Sequence, residues 1–214
     1  MKLYTYFHSS AAYRVRIALN WKGIAHEQAF VHLQKAEHQK PEYKSVNPVG
    51  LLPALEDEGQ AISQSLAIIE YLDETRPGPK LLPADPVDRA YVRALSQIVA
   101  CEIHPLNNLR VLNFIRASYG LDQEGVNAWY RHWIAEGFAM MEGFLVKHGK
   151  SGRYCLRDQV TIADCCLVPQ VFNAERYKCD LSAYPTVMRI NAECAKLEAF
   201  DKAHPWKQPD APPR

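Results

Sequence analysis

Two proline-rich interruptions, Arg76-Pro77-Gly78-Pro79-Lys80 and Pro83-Ala84-Asp85-Pro86, split this chain into halves of different hydrophobic rhythm. Upstream the pattern alternates between strand and helix. Lys2–Phe7 reads as a strand rich in β-formers, and Arg14–Lys22 as a helix with Ile17, Ala18 and Trp21 on one face and Gly23 as its stop. Glu27–Leu33 reads as a second strand, residues 34–46 as a short polar helix or loop, and Asn47-Pro48 as a break. Leu51–Leu55 and Ala61–Ser63 form a predicted hairpin around Glu56–Gln60. A helix then runs from Gln64-Ser65 to about Thr75, burying Leu66, Ile69 and Leu72. Downstream only the helical period recurs, over 88–116, 125–147, 161–177 and 184–200, with a break expected near His104-Pro105 and an extended tail from Pro205. The expected organisation is an α/β domain over residues 1–82 and an all-helical domain over residues 88–214.

Composition narrows the function classes. A chain of 214 residues can bury one large core or two small ones. A formal net charge of +1 gives no electrostatic footprint for nucleic acid or an anionic membrane surface. The sequence offers no secretory leader and no apolar run of bilayer-spanning length, so a cytoplasmic protein is expected. Six cysteines without a Cys-x-x-Cys pair read as reduced, mostly buried thiols. The eight histidines lack metal-ligand spacing, so no metal site is expected.

Three features carry chemistry. Ser9-Ser10 falls where the first strand turns into a helix. There a hydroxyl can cap the helix, or face its positive dipole end beside a bound anion such as a thiolate. Leu52-Pro53 opens a strand, either as an ordinary strand-start proline or as a cis bond exposing a ladder edge that a peptide-like ligand can pair with. Gln64-Ser65 begins the next helix, again as a plain cap or as a second anion site. On one rim, the three suit a small extended peptide bearing carboxylates and a thiol.

These residues lie within a longer series. It runs through Ser9-Ser10-x-x-Tyr13-Arg14-Val15-Arg16-Ile17-Ala18-Leu19, Asn47-Pro48, Leu52-Pro53 and Gln64-Ser65-Leu66-Ala67-Ile68-Ile69-Glu70-Tyr71-Leu72. It continues in Pro105-Leu106-x-Asn108-Leu109, Thr161-x-Ala163-Asp164, Leu167-Val168-Pro169-Gln170-Val171 and Asn173-Ala174-Glu175-Arg176. Over nearly its whole length the chain resembles the zeta-class glutathione transferases of the maleylacetoacetate isomerase type. The resemblance implies a thioredoxin-like N-terminal domain, an all-α C-terminal domain, glutathione as cofactor and a homodimer. It places Ser9 and Ser10 beside the glutathione sulfur, with Ala11 next to them. Leu52, ahead of Pro53, would meet the cysteinyl backbone, Gln64 and Ser65 the γ-glutamyl carboxylate, and His38 the glycine end. His104, Asn108, Leu109 and Arg110 would close the site from the helical domain, and Arg176 would meet an acidic co-substrate. The family often has cysteine where this chain has Ala11, and commonly arginine where it has His8, which makes His8 a substrate-contact candidate of a different kind. Thr161-Ile162-Ala163-Asp164 reads directly as a capping box and is assigned to folding.

The reaction implied is the cis–trans isomerisation of a maleyl β-dicarbonyl acid, maleylacetoacetate, to its fumaryl isomer. A carbon–carbon double bond does not rotate at useful rates, so a nucleophile must add, permit rotation and leave. That chemistry needs thiolate stabilisation, assigned to Ser9 and Ser10, and positive charge for carboxylates, assigned first to Arg176 with Arg14 and Arg110 behind it. For any lone arginine a surface ion pair is the alternative. The rival reactions are isomerisation of maleylpyruvate and transfer to small α-halo acids. A non-catalytic ligand-binding relative is a rival of another class.

Overall fold

The computed structural model describes residues 1–213, which form two compact units. The first comprises Met1–Leu82 together with the chain from Ala195 onward; the second is Pro83–Cys194.

In the first unit, β1 (Lys2–Thr5) leads into α1 (Ser10–Trp21) and β2 (Glu27–Phe30). Two 3-10 turns (Leu33–Lys35 and Glu37–Gln39) and the short α2 (Pro41–Lys44) follow, then β3 (Ala54–Asp57), β4 (Gln60–Ser63) and α3 (Ser65–Thr75). The sheet order is β2-β1-β3-β4. β1 runs parallel to β2 and antiparallel to β3, and β3–β4 is the predicted hairpin. This is the thioredoxin-like arrangement. Leu3, Val15, Ile17, Leu19, Leu55, Ile68, Ile69 and Leu72 fill its core.

The second strand is shorter than its β-formers predict. After the Val31 N–H has bonded Thr5 O at 2.9 Å, the Glu37 carboxylate accepts from the His32 backbone N–H at 2.7 Å, turning the chain where His32 and Leu33 would have continued the ladder. The third strand likewise starts at Ala54 rather than Leu51, after a cis Leu52–Pro53 bond. Pro53 has no N–H to give a ladder.

The second unit is helical: α4 (Pro86–Gln97), a π-helical turn (Ile98–Ile103), α5 (Leu109–Tyr119), α6 (Gln123–His148), α7 (Ile162–Arg176) and α8 (Pro185–Cys194). The anticipated break at His104-Pro105 falls directly after the π-helical turn. At that level Gly137 of α6 lets the turn approach, since a Cβ there would lie 2.1 Å from Ile103 Cγ1.

The helical domain is smaller than the 88–214 span that the sequence periodicity predicts, and 184–200 is not the one helix expected there. Instead α8 ends at Cys194, and α9 (Glu198–Ala203) packs on α1 in the first unit. The reason is a buried charge: Arg16 of α1 donates from Nε to the Ala203 carbonyl at 3.2 Å, and Asn20 donates to Ala199 O at 3.1 Å. The tail is also not simply extended, because Pro205–Lys207 forms a 3-10 turn.

Among the described residues all six cysteines are free thiols, with Cys155, Cys165, Cys166 and Cys194 buried. No group of three or more potential metal ligands gathers among the described residues. No described helix is long and apolar enough to cross a membrane.

Candidate active site

The serine pair divides its labour. Ser9 is the N-cap of α1, in extended backbone conformation, and its Oγ accepts from the Ala12 N–H at 3.2 Å. Ser10 is the first residue of the helix, and both serines are about nine-tenths buried. The cap uses the lone pair of Ser9 and leaves its proton available. An N–H bond to a hydroxyl oxygen also makes its O–H a better donor. Capping and anion stabilisation are therefore compatible here. The first turn of α1 carries no acidic residue, so the positive end of the helix keeps its potential.

The start of α3 is likewise free of acidic residues, with a different local geometry. Gln64 is its N-cap, with φ 71° and ψ 118° and no side-chain capping bond. A non-glycine residue in that region costs of order 1–3 kcal/mol and persists where surrounding structure enforces it, commonly at ligand clamps. Ser65 follows, buried, with its Oγ accepting from Arg14 Nη1 at 3.2 Å. Again the first turn has no acid. Arg14, considered from sequence as a carboxylate clamp, is 2 % exposed and ties one helix start to the other. Its position makes it a brace for Ser65 and a source of positive charge within the unit.

Leu52 immediately precedes Pro53 and lies outside the last β1–β3 rung, Tyr4↔Ala54, so its backbone edge is not consumed by the ladder. The preceding carbonyl is pinned: Leu51 O accepts from Tyr43 OH at 2.6 Å and from Asn47 Nδ2 at 2.8 Å. Burial pushes the Tyr43 phenol up to about 12, which keeps it a donor at every physiological pH. Gln39 Nε2 donates to Gly50 O at 3.1 Å, holding the same loop from the other side. His38 sits beside Gln39, half-buried. Burial first, then the charge of Lys44, hold its pKa below 6.5, so it is neutral at pH 7. Its buried Nδ1 has no partner among the described residues.

His8 is packed rather than projecting. Its ring stacks on Phe7 at 4.0 Å and meets Trp206 edge-on at 4.9 Å.

In the helical unit, Arg176 ends α7 as an exposed side chain. Its guanidinium lies 5.0 Å over the Tyr177 ring, and Tyr177 stacks on Tyr130 with centroids 3.6 Å apart. Burial raises the Tyr130 phenol and the Arg176 charge opposes that rise. The segment from His104 to Asn108 is fastened to α6 by Asn107 Nδ2 donating to Tyr130 O and Trp129 Nε1 donating to Leu106 O. Asn108 caps α5, accepting from Arg110 N at 3.2 Å, while Leu109 and Arg110 are exposed.

Periodicity and motifs do not mark Tyr43, Tyr130 or Tyr177 as supports, nor the buried function of Arg14 and Arg16. The available signal is two arginines within the otherwise apolar stretch Ala11–Leu19, which forces buried donors to find acceptors.

Residues 1–74 match the family model described as glutathione S-transferase, N-terminal domain. The chain is 48% identical over 211 residues to a maleylpyruvate isomerase from Ralstonia sp, covering 99% of this chain and 100% of that one. It is equally 48% identical over 212 residues to the maleylacetoacetate isomerase of Mus musculus, covering 98% and 94%. Among solved structures, a maleylacetoacetate isomerase of Methylobacterium extorquens AM1 with bound malonate and glutathione is 43% identical over the full length of both chains, with a TM-score of 0.96. The chain belongs to the zeta-class glutathione transferases, the family of the maleylacetoacetate and maleylpyruvate isomerases.

Proposed function

We propose that the protein is a glutathione-dependent cis–trans isomerase that converts maleylacetoacetate to fumarylacetoacetate. The observation that carries this reading is the pair of helix starts, α1 and α3, that hold buried serines, lack any acidic residue in the first turn and are joined by Arg14. The donor set suits glutathione. Serine hydroxyls and a helix dipole answer a thiolate, and the Leu52 edge answers a peptide backbone. Ser65 with the α3 N–H groups answers a carboxylate, and the partnerless Nδ1 of His38 can answer the glycine end.

When bound, glutathione supplies a recyclable sulfur nucleophile for the conjugated double bond. Ser9 and Ser10 donate hydrogen bonds to that sulfur and, with the α1 dipole, raise its ionised fraction at neutral pH from a reference thiol pKa of about 8.5. Gln64, Ser65 and Leu52 orient the tripeptide and do not change during the reaction. Ala11 places a small side chain beside the serines and supplies no thiol of its own. Arg176, steadied against Tyr177, is assigned to the substrate carboxylate, with Arg110 and the polar residues His104 and Asn108 as secondary candidates and Leu109 as an apolar one. Its planar fork suits a carboxylate bidentately.

Maleylpyruvate is the second reading of the same chemistry, favoured by the equal identity to relatives of both names. An ultraviolet isomerisation assay with each acid, with and without glutathione, tests the proposal. Turnover of the longer acid with the higher kcat/KM supports it, preference for maleylpyruvate shifts the assignment, and glutathione binding without turnover of either contradicts it. The same reading carries a cytoplasmic homodimer, supported by the family and by exposed apolar side chains such as Phe114, Tyr119 and Val146. Light scattering that gives a 24.3 kDa particle at micromolar concentration would contradict the dimer.

A further inference from the structure

The loop Tyr6–His8 between β1 and α1 sets where the two serines stand, and its peptide groups are satisfied by an unexpected partner. Arg16, 1 % exposed, donates from Nη1 to Tyr6 O at 3.3 Å and to Thr5 Oγ1 at 3.1 Å, and from Nη2 to Phe7 O at 3.1 Å. Its Nε bonds Ala203 O. The Phe7 N–H donates to Asp210 Oδ2 at 2.8 Å, across 203 positions of sequence. Trp206 packs on both Phe7 and His8, with centroids 5.6 Å and 4.9 Å away. Gln208 folds the segment back on itself by donating to Lys202 O and His204 O at 2.9 and 3.0 Å.

A buried guanidinium and a carboxylate are costly to hold out of water unless their hydrogen bonds are made. Here they are spent on two consecutive backbone units of the loop immediately before the serines. We infer that the C-terminal segment Ala203–Ala211 is a positioning element of the catalytic centre, in which Asp210 and Arg16 clamp the Tyr6–Phe7 peptide groups and so fix the donor geometry of Ser9 and Ser10. This rests on the assignment of those serines to the glutathione sulfur. Because charge-assisted bonds are short and directional, the clamp sets geometry more tightly than apolar packing alone. A displacement of about 1 Å at a reacting group can cost on the order of a hundredfold in rate.

The test uses the full chain and compares Asp210→Ala with Asp210→Asn, which retains an oxygen acceptor for the Phe7 N–H. Three readouts are needed: kcat and KM for glutathione, the fraction of bound glutathione ionised at pH 7 from its ultraviolet thiolate band, and amide exchange in residues 6–10. Asp210→Ala is expected to lower kcat about tenfold and the ionised fraction several-fold, with KM for glutathione changed less than twofold, because Gln64, Ser65 and Leu52 are untouched. Amide exchange should rise in residues 6–10, and Asp210→Asn should restore most of the loss. An Asp210→Ala variant with unchanged kcat and ionised fraction overturns the inference. So does a loss of activity matched by an equal loss of folded protein, with the ionised fraction per bound glutathione unchanged. The wild type separates the two claims. If it turns over neither maleyl acid, the assigned reaction fails, while the ionised fraction, read without substrate, still judges the clamp.

Discussion

With the exception of α5, which the neutral Asn108 caps, the long helices of the two units begin in opposite ways. In the helical unit protein carboxylates meet the starts of α4, α6, α7 and α8. Asp85 accepts from Asp88 N, Asp122 from Gly125 N, and Asp164 from the N–H and hydroxyl of Thr161. Glu142 reaches from α6 to accept from Thr186 N and Val187 N, each at 3.0 Å. In the thioredoxin-like unit α1 and α3 have no carboxylate in their first turns: serines and the neutral Gln64 stand at their starts, and the buried Arg14 bonds Ser65. A helix start carries about half a positive charge, which an acidic side chain normally offsets. The helical unit uses that offset for stability. The α/β unit forgoes it at α1 and α3, which leaves that potential unopposed by a first-turn carboxylate.

Removing the site's own donors should produce the largest change. The double replacement of Ser9 and Ser10 by alanine is expected to lower turnover by about 100- to 1,000-fold, the scale of a lost preorganised donor. Steady-state kinetics would show it, and intact turnover would remove the serines from the thiolate role.

The mirror experiment lies in α7. Asp164→Ala leaves the buried Cys155 and Thr161 N–H groups unpartnered and should cost about 3 kcal/mol of stability. Activity per folded molecule should be unchanged. Denaturant unfolding beside kinetics reads both, and a variant that kept its stability but lost kcat would blur the contrast between the units.

Arg176→Ala comes next. Loss of a charged hydrogen bond is worth about 1.5–3 kcal/mol, so KM for the maleyl acid should rise roughly ten- to a hundredfold. Glutathione affinity should hold, and an equal loss of both in calorimetry and kinetics would take Arg176 out of the acid-recognition role.

The subtlest change inverts the design. Ala67 is exposed in the first turn of α3, and Ala67→Glu supplies a carboxylate of the kind that meets the starts of α4, α6, α7 and α8. Thermal stability should rise by about 0.3–1 kcal/mol, while glutathione affinity falls several-fold. A stability gain without weaker binding would show that the α3 potential is not used by the ligand.

Much of this contrast was legible in the sequence, but unevenly. The hairpin, the serine-bearing helix start and the Thr161–Asp164 capping box follow from local chemistry, because each partner lies within a few residues. The clamp on Phe7 does not, since Asp210 and Ala203 reach it from the far end of the chain. The same long-range bonds explain why 195 onward left the helical domain that its periodicity predicted: amphipathic spacing marks a helix but not the surface it packs on. His38 is a third case. Its half-burial and neutral state depend on the 3-10 turn set by Glu37 and on the nearby Lys44, neither of which periodicity reveals.

On the proposed function, the acid-free start of α1 holds a sulfur nucleophile that is used and returned. Counting free thiol during sustained isomerisation tests it most directly. With substrate in large excess over glutathione, turnover should require glutathione, continue for many cycles per glutathione molecule and leave the free thiol constant. Thiol loss in step with product would instead mark a conjugating transferase, and turnover without glutathione would contradict the account altogether.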